Sequence, residues 1–509
     1  MKLIKSLVER FKKNPLNLLQ ILVLGYIYLI PIWPKLPFKN INYTYIAVRY
    51  EDLYVALLVA VFILGLLFRK IKLHNSPFLK LIPFYWLVVI ISALVGFYVF
   101  HSTATLQLSL LHAFRRVEYM IVFFVAASSV SNIKQLKFYF NHLMMVLFLV
   151  SVYGIGQKFL GWPAIQTMNP HYSKGYLLTL DANARISSTF GGHYDLAAFL
   201  VYLMPLSLGL FLVERRMRYF LVFVTALIAL ILTASRASYV AYLMTAPIFL
   251  LTQKRFRLMV LIIALTVVLT PLSNNLTKRI NRTFRQDLVW VSKDTGQAIV
   301  PRKITADDLP AGDYVIKKTS GTEVQDQTPE QVQLVKAEIR ENILEEARQS
   351  GKELTQSELN QLVDSTFANF APVSSVLPDI SFATRLQVEW PRAIKAFLKN
   401  PLIGSGTGSI TEATDNDYLR SLGETGLLGF GMLMLILFKL QFFLFRKGRE
   451  FKNRLQPMFW GLMFGGLALM INALYIDVFE ASKVALMIWL TWGLIYSIEF
   501  FSQDEVSRW

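Results

Sequence analysis

The feature that most constrains this chain is a series of apolar runs, each about as long as a bilayer is thick. Leu53–Phe68, Leu79–Phe100 and Phe256–Leu272 are nearly uncharged, and a helix needs about 20 such residues to cross a ~30 Å hydrocarbon core. A soluble domain carries roughly a quarter of its residues as charges. Here 54% of residues are hydrophobic and 17% charged, too few polar groups to wrap so many runs in water. The chain is therefore read as an all-α polytopic membrane protein. About twelve spans are expected, near 16–34, 50–68, 79–100, 112–130, 138–160, 194–213, 217–234, 237–252, 256–272, 421–445, 456–476 and 482–501.

The placement of charge supports that count. The net charge is +18, but the Lys and Arg residues sit in short loops between apolar runs, where they set orientation. With a cytoplasmic N-terminus, every inside loop carries a basic cluster, such as Arg215/Arg216/Arg218 and Arg446/Lys447/Arg449. The short outside loops are poor in Lys and Arg, and Asp477 and Glu480 fall there. Both termini are thus expected in the cytoplasm. The basic, apolar N-terminus lacks a small-x-small cleavage site and reads as a retained first helix. No basic stripe is interleaved with stacking aromatics, which argues against nucleic acid. The chain has no cysteine, so thiolate sites are excluded. Its six histidines form no H-x-x-x-H pair, so no metal site is expected.

Three parts follow. Residues 1–272 hold spans one to nine, with a polar outside loop at 161–193. Residues 273–420 form a large extracytoplasmic loop, with a small inserted α/β module near 295–375 and a motif-rich segment at 381–420. Residues 421–509 hold the last three spans. Within the insert, Ile299–Val324 has short β-prone pieces broken by Pro310 and Gly312. Thr328-Pro-Glu-Gln331 is a capping-box signature with proline at the first helical position. Val332, Val335, Ile339, Ile343 and Ala347 then recur at helical spacing up to Gly351. A second start, Thr355-x-x-Glu358, leads into Leu359, Leu362, Val363, Phe367 and Phe370. These two helices are expected to pack on each other or to lie over the bundle mouth.

Charges at or near spans are costly and each needs a reason. Arg236, in LTASRASYVAYL, stands between spans seven and eight with almost no loop and with small neighbours that permit close helix approach. Arg185 precedes span six, and Arg385 ends the large loop. Arg115 and Arg116 begin span four, where snorkelling to lipid headgroups is the expected role. All five fall on one side of the membrane. Guanidinium suits bidentate recognition of phosphate oxygens, so arginines converging at a membrane face suggest a diphosphate ligand with its tail in lipid. Such groups would also stabilise the charge on a leaving diphosphate.

The second component is Asp415-Asn-Asp417-Tyr418-Leu-Arg420, followed by Gly423-Glu424-Thr-Gly426. If Asp415 opens span ten, Asp415, Tyr418, Leu419 and Leu422 share one face, and Asp417, Ser421 and Glu424 the next. One Asp is accounted for as a helix cap. Two with a membrane-entering Glu suggest a carboxylate positioned as general base for a hydroxyl. Gly404-Ser-Gly406-Thr-Gly408 looks like a phosphate-cradling loop, but it follows no strand and lacks the Lys-Ser/Thr ending, so the nucleotide reading is weak.

The stretches RISSTFGGHYDLAAFLVYLMPL, LTASRASYVAYL and R-x4-W-x2-A-x5-NPLIG-x-G running on to DNDYLRSLGETGLLG resemble the O-antigen ligase and polymerase family of bacterial envelope glycosyltransferases. The resemblance covers roughly 185–440 and leaves out the insert. It implies a GT-C-like membrane fold in the bacterial cytoplasmic membrane and transfer of a glycan from a polyprenyl-diphosphate carrier to an acceptor sugar hydroxyl on the extracytoplasmic face. The acceptor would be a glycan or lipid-glycan, and neither cofactor nor metal would be required. By position, it assigns Arg236 and Arg385 to the donor diphosphate; beside them Arg185 is expected to help hold it, and Tyr418 and Glu424 are expected at the substrate. The family's ligases have His-Asn-x-Tyr-Leu where this chain has Asp415-Asn-Asp417-Tyr418-Leu419. Asp415, or Asp417, then becomes the expected catalytic base, and the departure points to a polymerase or another branch. The competing expectation is a transporter or flippase for an anionic or lipid-linked solute. Against it stand the absence of internal repeats and the gathering of charge at one face. A third is a partner-binding loop on an inert anchor.

Overall fold

The computed structural model describes residues 15–40, 47–165, 178–180, 184–277, 286–293, 298–299, 329–350, 354–376, 385–410, 414–452, 454–507 and 509. They divide into two compact units, one of Met1–Thr277 with Arg392–Trp509, the other of Lys278–Pro391.

The first unit is a helical bundle. Its helices are α1 (Pro15–Ile32), α2 (Tyr50–Leu67), α3 (Phe78–Tyr98), α4 (Leu106–Ser129), α5 (Ile133–Phe159), α6 (His193–Glu214), α7 (Met217–Thr233), α8 (Arg236–Thr252) and α9 (Phe256–Leu269). A two-stranded hairpin, β1 (Pro37–Asn40) and β2 (Ala47–Arg49), joins α1 to α2. Each of the twelve apolar runs read from the sequence coincides with a helix of this unit. Six are long and apolar enough to cross a membrane: Tyr50–Leu67, Phe78–Tyr98, Ile133–Phe159, His193–Glu214, Asp417–Glu450 and Ser482–Phe500. Helix α4 opens at Leu106, earlier than the expected start near 112, because Thr105 caps it by accepting from the Leu108 N–H at 3.1 Å.

Burial sorts the helices. α6 is enclosed along most of its length, while α9 buries only Ile262 and Thr266 and leaves Val260, Val267 and Val268 exposed. An apolar helix with an exposed apolar surface belongs in lipid rather than water. Glycines set the closest approach in the core. A Cβ on Gly461 would sit 2.5 Å from the Pro205 carbonyl oxygen of α6, so only hydrogen fits there, as in membrane packing through small residues.

The second unit builds its core from one sheet and two helices. The described elements are β3 (Gln286–Ser292), β4 (Ala298–Ile299), α10 (Pro329–Ser350), α11 (Gln356–Ala368) and β5 (Phe370–Val376), with sheet order β4-β3-β5, all antiparallel. Trp290 of β3, Val335 and Ile339 of α10, and Leu359 and Val363 of α11 form one buried cluster. Both helices were legible in the sequence, and they do pack on each other. The unit is wider than 295–375 because β3 and β5 pair from Gln286↔Val376 to Ser292↔Phe370 and draw both flanks into it. The Pro310 and Gly312 region lies outside the described residues.

The Thr355 capping box is formed: the Thr355 hydroxyl accepts from the Glu358 N–H at 3.4 Å, and the Glu358 carboxylate accepts from the Thr355 N–H at 2.9 Å. Thr355→Ala removes one side of it and is expected to weaken α11 by about 1 kcal/mol. Hydrogen exchange should show this as faster exchange at 356–360 with little change in α10.

Candidate functional site

The remaining bundle helices complete one end of the first unit: α12 (Trp390–Lys399), α13 (Asp417–Glu450), α14 (Gln456–Asn472) and α15 (Ser482–Tyr496). At the start of α13 the expected register shifts by two. Asn416, not Asp415, is the cap, and its side-chain oxygen accepts from the Tyr418 and Leu419 N–H groups at 3.1 and 3.0 Å. Asp415 lies just outside the helix with φ +47°, a conformation that Asp tolerates better than most residues. It therefore does not share a helix face with Tyr418 and Leu422.

Asp417, the first helical residue, is buried. Its carboxylate accepts from the Val478 and Phe479 N–H groups at 2.6 and 2.9 Å, while its own N–H donates to the Ala473 carbonyl at 3.0 Å. The 473–481 loop is thereby stitched to the head of α13. Asp477 completes the stitch, accepting from the Asn416 N–H at 3.1 Å and pairing with Arg420 at 2.8 Å.

Glu424 lies one turn deeper and joins the two buried arginines. It pairs with Arg116 at 2.5 Å, stands 3.9 Å from Arg420, and accepts from the Gly408 N–H at 3.1 Å. Arg116 also pairs with Glu480 at 2.8 Å. Arg115 makes a two-pronged pair with Asp52 at 2.7 and 3.1 Å and a second pair with Glu118 at 3.2 Å. The snorkelling expected of Arg115 and Arg116 is thus overturned. Both belong to internal ion pairs, and apart from Glu118, three residues from Arg115 on the same helix, their partners Asp52, Glu424 and Glu480 are too distant in sequence to be foreseen. Burial drives the Glu480 carboxyl up, but the nearby Arg116 and Arg420 guanidinium groups outweigh it and hold the pKa below the ordinary value.

The glycine-rich loop proves to be backbone carpentry, not a phosphate cradle. Helix α13 breaks at Gly426, where φ is +63°. The freed Leu427 and Leu428 N–H groups donate to the Pro401 and Leu402 carbonyls at 2.8 and 3.1 Å. The Gly423 and Glu424 carbonyls accept from Ser405 and Gly406 at 2.9 and 3.0 Å. An irregular turn within a bundle is tolerated when each of its polar groups finds a protein partner in this way. Gly406, at φ +98°, also lies where a Cβ would come 2.7 Å from the Gly96 Cα of α3.

The half-buried candidates sit at the rim of this network. Arg236 is the first residue of α8; two positions on, Ser238 shares a hydrogen bond with Asn472 at 2.9 Å, and the next residue, Ala473, accepts the Asp417 N–H. Arg185 is tied to the same corner by the Ile186 N–H to the Leu232 carbonyl at 3.4 Å, and its guanidinium meets His193 at 2.8 Å. Arg236, Arg185 and Asp415 are therefore gathered at one end of one bundle. Tyr418 donates its hydroxyl to the Met470 carbonyl at 2.7 Å. Arg385 is buried at the head of a π-helical turn, Arg385–Glu389, in the second unit. Asp477, Glu480, Arg420 and Arg116, which hold the site together, were missed as partners; the one legible signal was charge in or beside a span. Among the described residues no cluster of three or more His, Asp or Glu side chains could hold a metal ion. A void of about 30 Å³ lined by Tyr85, Arg116, Asp417 and Glu480 is water-sized and too small for a sugar.

These features define a multi-pass helical membrane protein with paired charges and accessible arginines at one end of its bundle. Residues 221–434 match the family model for O-antigen ligase. This part of the chain thus carries an O-antigen ligase domain. No curated protein matches it.

Removing one partner of a buried ion pair leaves the other charge uncompensated, at a cost of about 3–5 kcal/mol. Glu424→Gln should therefore lower the thermal midpoint in detergent strongly, and pairing it with Arg116→Met should recover part of the loss. Glu480, with its depressed pKa, contributes stability that is complete above the unfolded value of ~4.3 and lost as pH falls through the lower folded value. Glu480→Gln should flatten the acid limb of a midpoint-versus-pH curve.

Proposed function

We propose that this protein transfers a glycan from a polyprenyl-diphosphate carrier to an acceptor sugar hydroxyl on the extracytoplasmic face of the cytoplasmic membrane. The matched domain supports a membrane role in O-antigen synthesis. The observation that carries the finer reading is the gathering of Arg236, Arg185 and Asp415 at one corner of the first unit, through Leu232, Ser238, Asn472 and Ala473.

In this reading, Asp415 accepts the proton of the acceptor hydroxyl as its oxygen attacks the anomeric carbon. The bond from that carbon to the diphosphate oxygen breaks, and polyprenyl diphosphate leaves with the electron pair. Displacement in one step inverts the anomeric centre. Arg236 and Arg185 take up the charge that grows on the leaving group. The assignment of Arg385 to the same diphosphate rests on its sequence motif. Asp417 and Glu424 are retained as the scaffold under the site, because their carboxylates already accept backbone N–H groups and bridge buried arginines. The same logic makes Asp415 the better of the two proposed bases. Orientation follows the charge pattern, with both termini cytoplasmic.

Transfer from a polyprenyl-diphosphate glycan by purified protein in lipid discs should fall about 10²–10³-fold in Arg236→Ala and 10²–10⁴-fold in Asp415→Asn. Arg236→Lys should recover only part, because a point charge lacks the two-pronged geometry. Full activity in both variants, with normal insertion and thermal midpoint, would overturn the mechanism.

A further inference from the structure

Lys483, the second residue of α15, is wholly buried inside a span. A cation there is doubly costly, because it stands in an apolar bundle and faces the positive end of its own helix dipole. Its ammonium donates to three backbone carbonyls, those of Pro31, Trp33 and Thr189, at 3.3, 2.5 and 2.8 Å. Pro31 and Trp33 lie at the C-terminal end of α1, where carbonyls lack helical partners and the dipole favours a cation. The Glu51 carboxylate of α2 acts on Lys483 electrostatically, yet neither of its oxygens has a hydrogen-bond partner among the described residues. Carbonyls, not an ion pair, fix where the ammonium stands.

The third carbonyl belongs to the loop that carries Arg185. The Thr189 hydroxyl donates to the same Pro31 carbonyl at 2.5 Å, and the Lys483 ammonium lies 5.1 Å from the centre of the adjacent Phe190 ring. Before Thr189, Gln157 of α5 accepts from the Ser188 N–H at 2.7 Å and donates to the Ser188 carbonyl at 2.8 Å. After it, His193 opens α6 and meets the Arg185 guanidinium at 2.8 Å, which closes the loop on itself. Asp195 then pairs with Lys35 at 3.2 Å, just beyond the end of α1. The segment from Arg185 to Asp195 is thus clamped between α5 on one side and the α1 end with Lys483 on the other. With so few residues between clamp and Arg185, a shift at Thr189 is passed to the guanidinium.

We infer that Lys483 is a positioning residue for glycan transfer: by tying Thr189 to the end of α1, it sets where Arg185 stands to meet the donor diphosphate. This inference rests on the glycan-transfer reading and on the place that reading gives Arg185. Lys483 itself touches no substrate and acts through the Arg185–His193 loop. An apolar side chain of the same length would fill the space, but it would leave the Trp33 and Thr189 carbonyls without this donor and let the loop part from α1.

The test measures transfer from a polyprenyl-diphosphate glycan by the full chain in lipid discs, with the donor concentration varied. Lys483→Met should lower kcat/KM about 10²-fold, as a small misplacement of a binding group does. In an Arg185→Ala protein, which lacks the positioned group, the same change should cost less than about twofold, whereas independent effects would multiply. Lys483→Gln, which still offers two N–H donors, should recover part of the loss. Thr189→Val removes the neighbouring tie to Pro31 and keeps the shape; it should cost about fivefold, again only while Arg185 is present, and it carries the test where Lys483→Met does not insert. A full loss in the Arg185→Ala background, or unmutated kinetics in both Lys483→Met and Thr189→Val, would overturn the positioning role and leave the transfer reading standing. An unimpaired Arg185→Ala protein beside an impaired Arg236→Ala protein would do the same. Absence of transfer by the unmutated protein would overturn both.

Discussion

The structure depends on keeping two guanidinium groups, Arg116 and Arg420, buried at one end of an apolar bundle. A charge in such surroundings is tolerable only when countercharges and hydrogen bonds surround it. Glu424 stands between both arginines, and Glu480 and Asp477 close the two outer sides. The network ties α4, α13 and the loop between α14 and α15 to one another. Its geometry also explains why Asp417 cannot be a loose acid: that carboxylate holds the same loop through the Val478 and Phe479 N–H groups. A fixed electrostatic floor is what a transfer site requires, since donors aimed in advance need not reorganise during reaction.

The break in α13 belongs to this floor. A helix that continued through Gly426 would have no use for the 401–408 segment. Because the chain turns there, Leu427 and Leu428 donate into that segment and Ser405 and Gly406 donate back. The reciprocal hydroxyl bonds of Ser109 and Thr407 then fasten the segment to α4 at 2.9 and 2.7 Å. The glycines are required by backbone contact, and the pattern that imitates a phosphate loop arises from that packing.

Much of the scaffold was legible because its signals are local. Apolar runs mark helices by length alone, and Thr355-x-x-Glu358 marks a helix start through a four-residue hydrogen-bond ring. The tight α7–α8 junction was visible as small residues around Arg236. What escaped were pairings set by tertiary distance. Nothing near Arg116 in sequence announces Glu424 or Glu480, more than 300 residues away, and an arginine near a span edge reads equally as a headgroup contact. The start of α13 misled for a subtler reason. Asp415, Asn416 and Asp417 all make acceptable caps, and only the position of Asp477, which draws in the N–H groups of 414–416, selects Asn416.

Accessibility separates the chemical candidates from the structural ones better than residue type does. Arg116, Arg420, Asp417 and Glu424 are all 5% exposed or less, and each serves a named internal contact. Arg236, Arg185 and Asp415 keep partial exposure at the same end. A group that must meet an incoming pyrophosphoryl sugar has to stay reachable, yet its backbone must not move. Arg236 meets both conditions, since Ser235 and Ser238 beside it are wholly buried and anchored through Asn472. In the proposed transfer, Asp415 stands where the family's ligases have histidine, and that assignment leaves this division intact. The site is therefore a rigid, self-neutralised interior presenting a small accessible rim, and it is to the rim that the proposed chemistry is assigned.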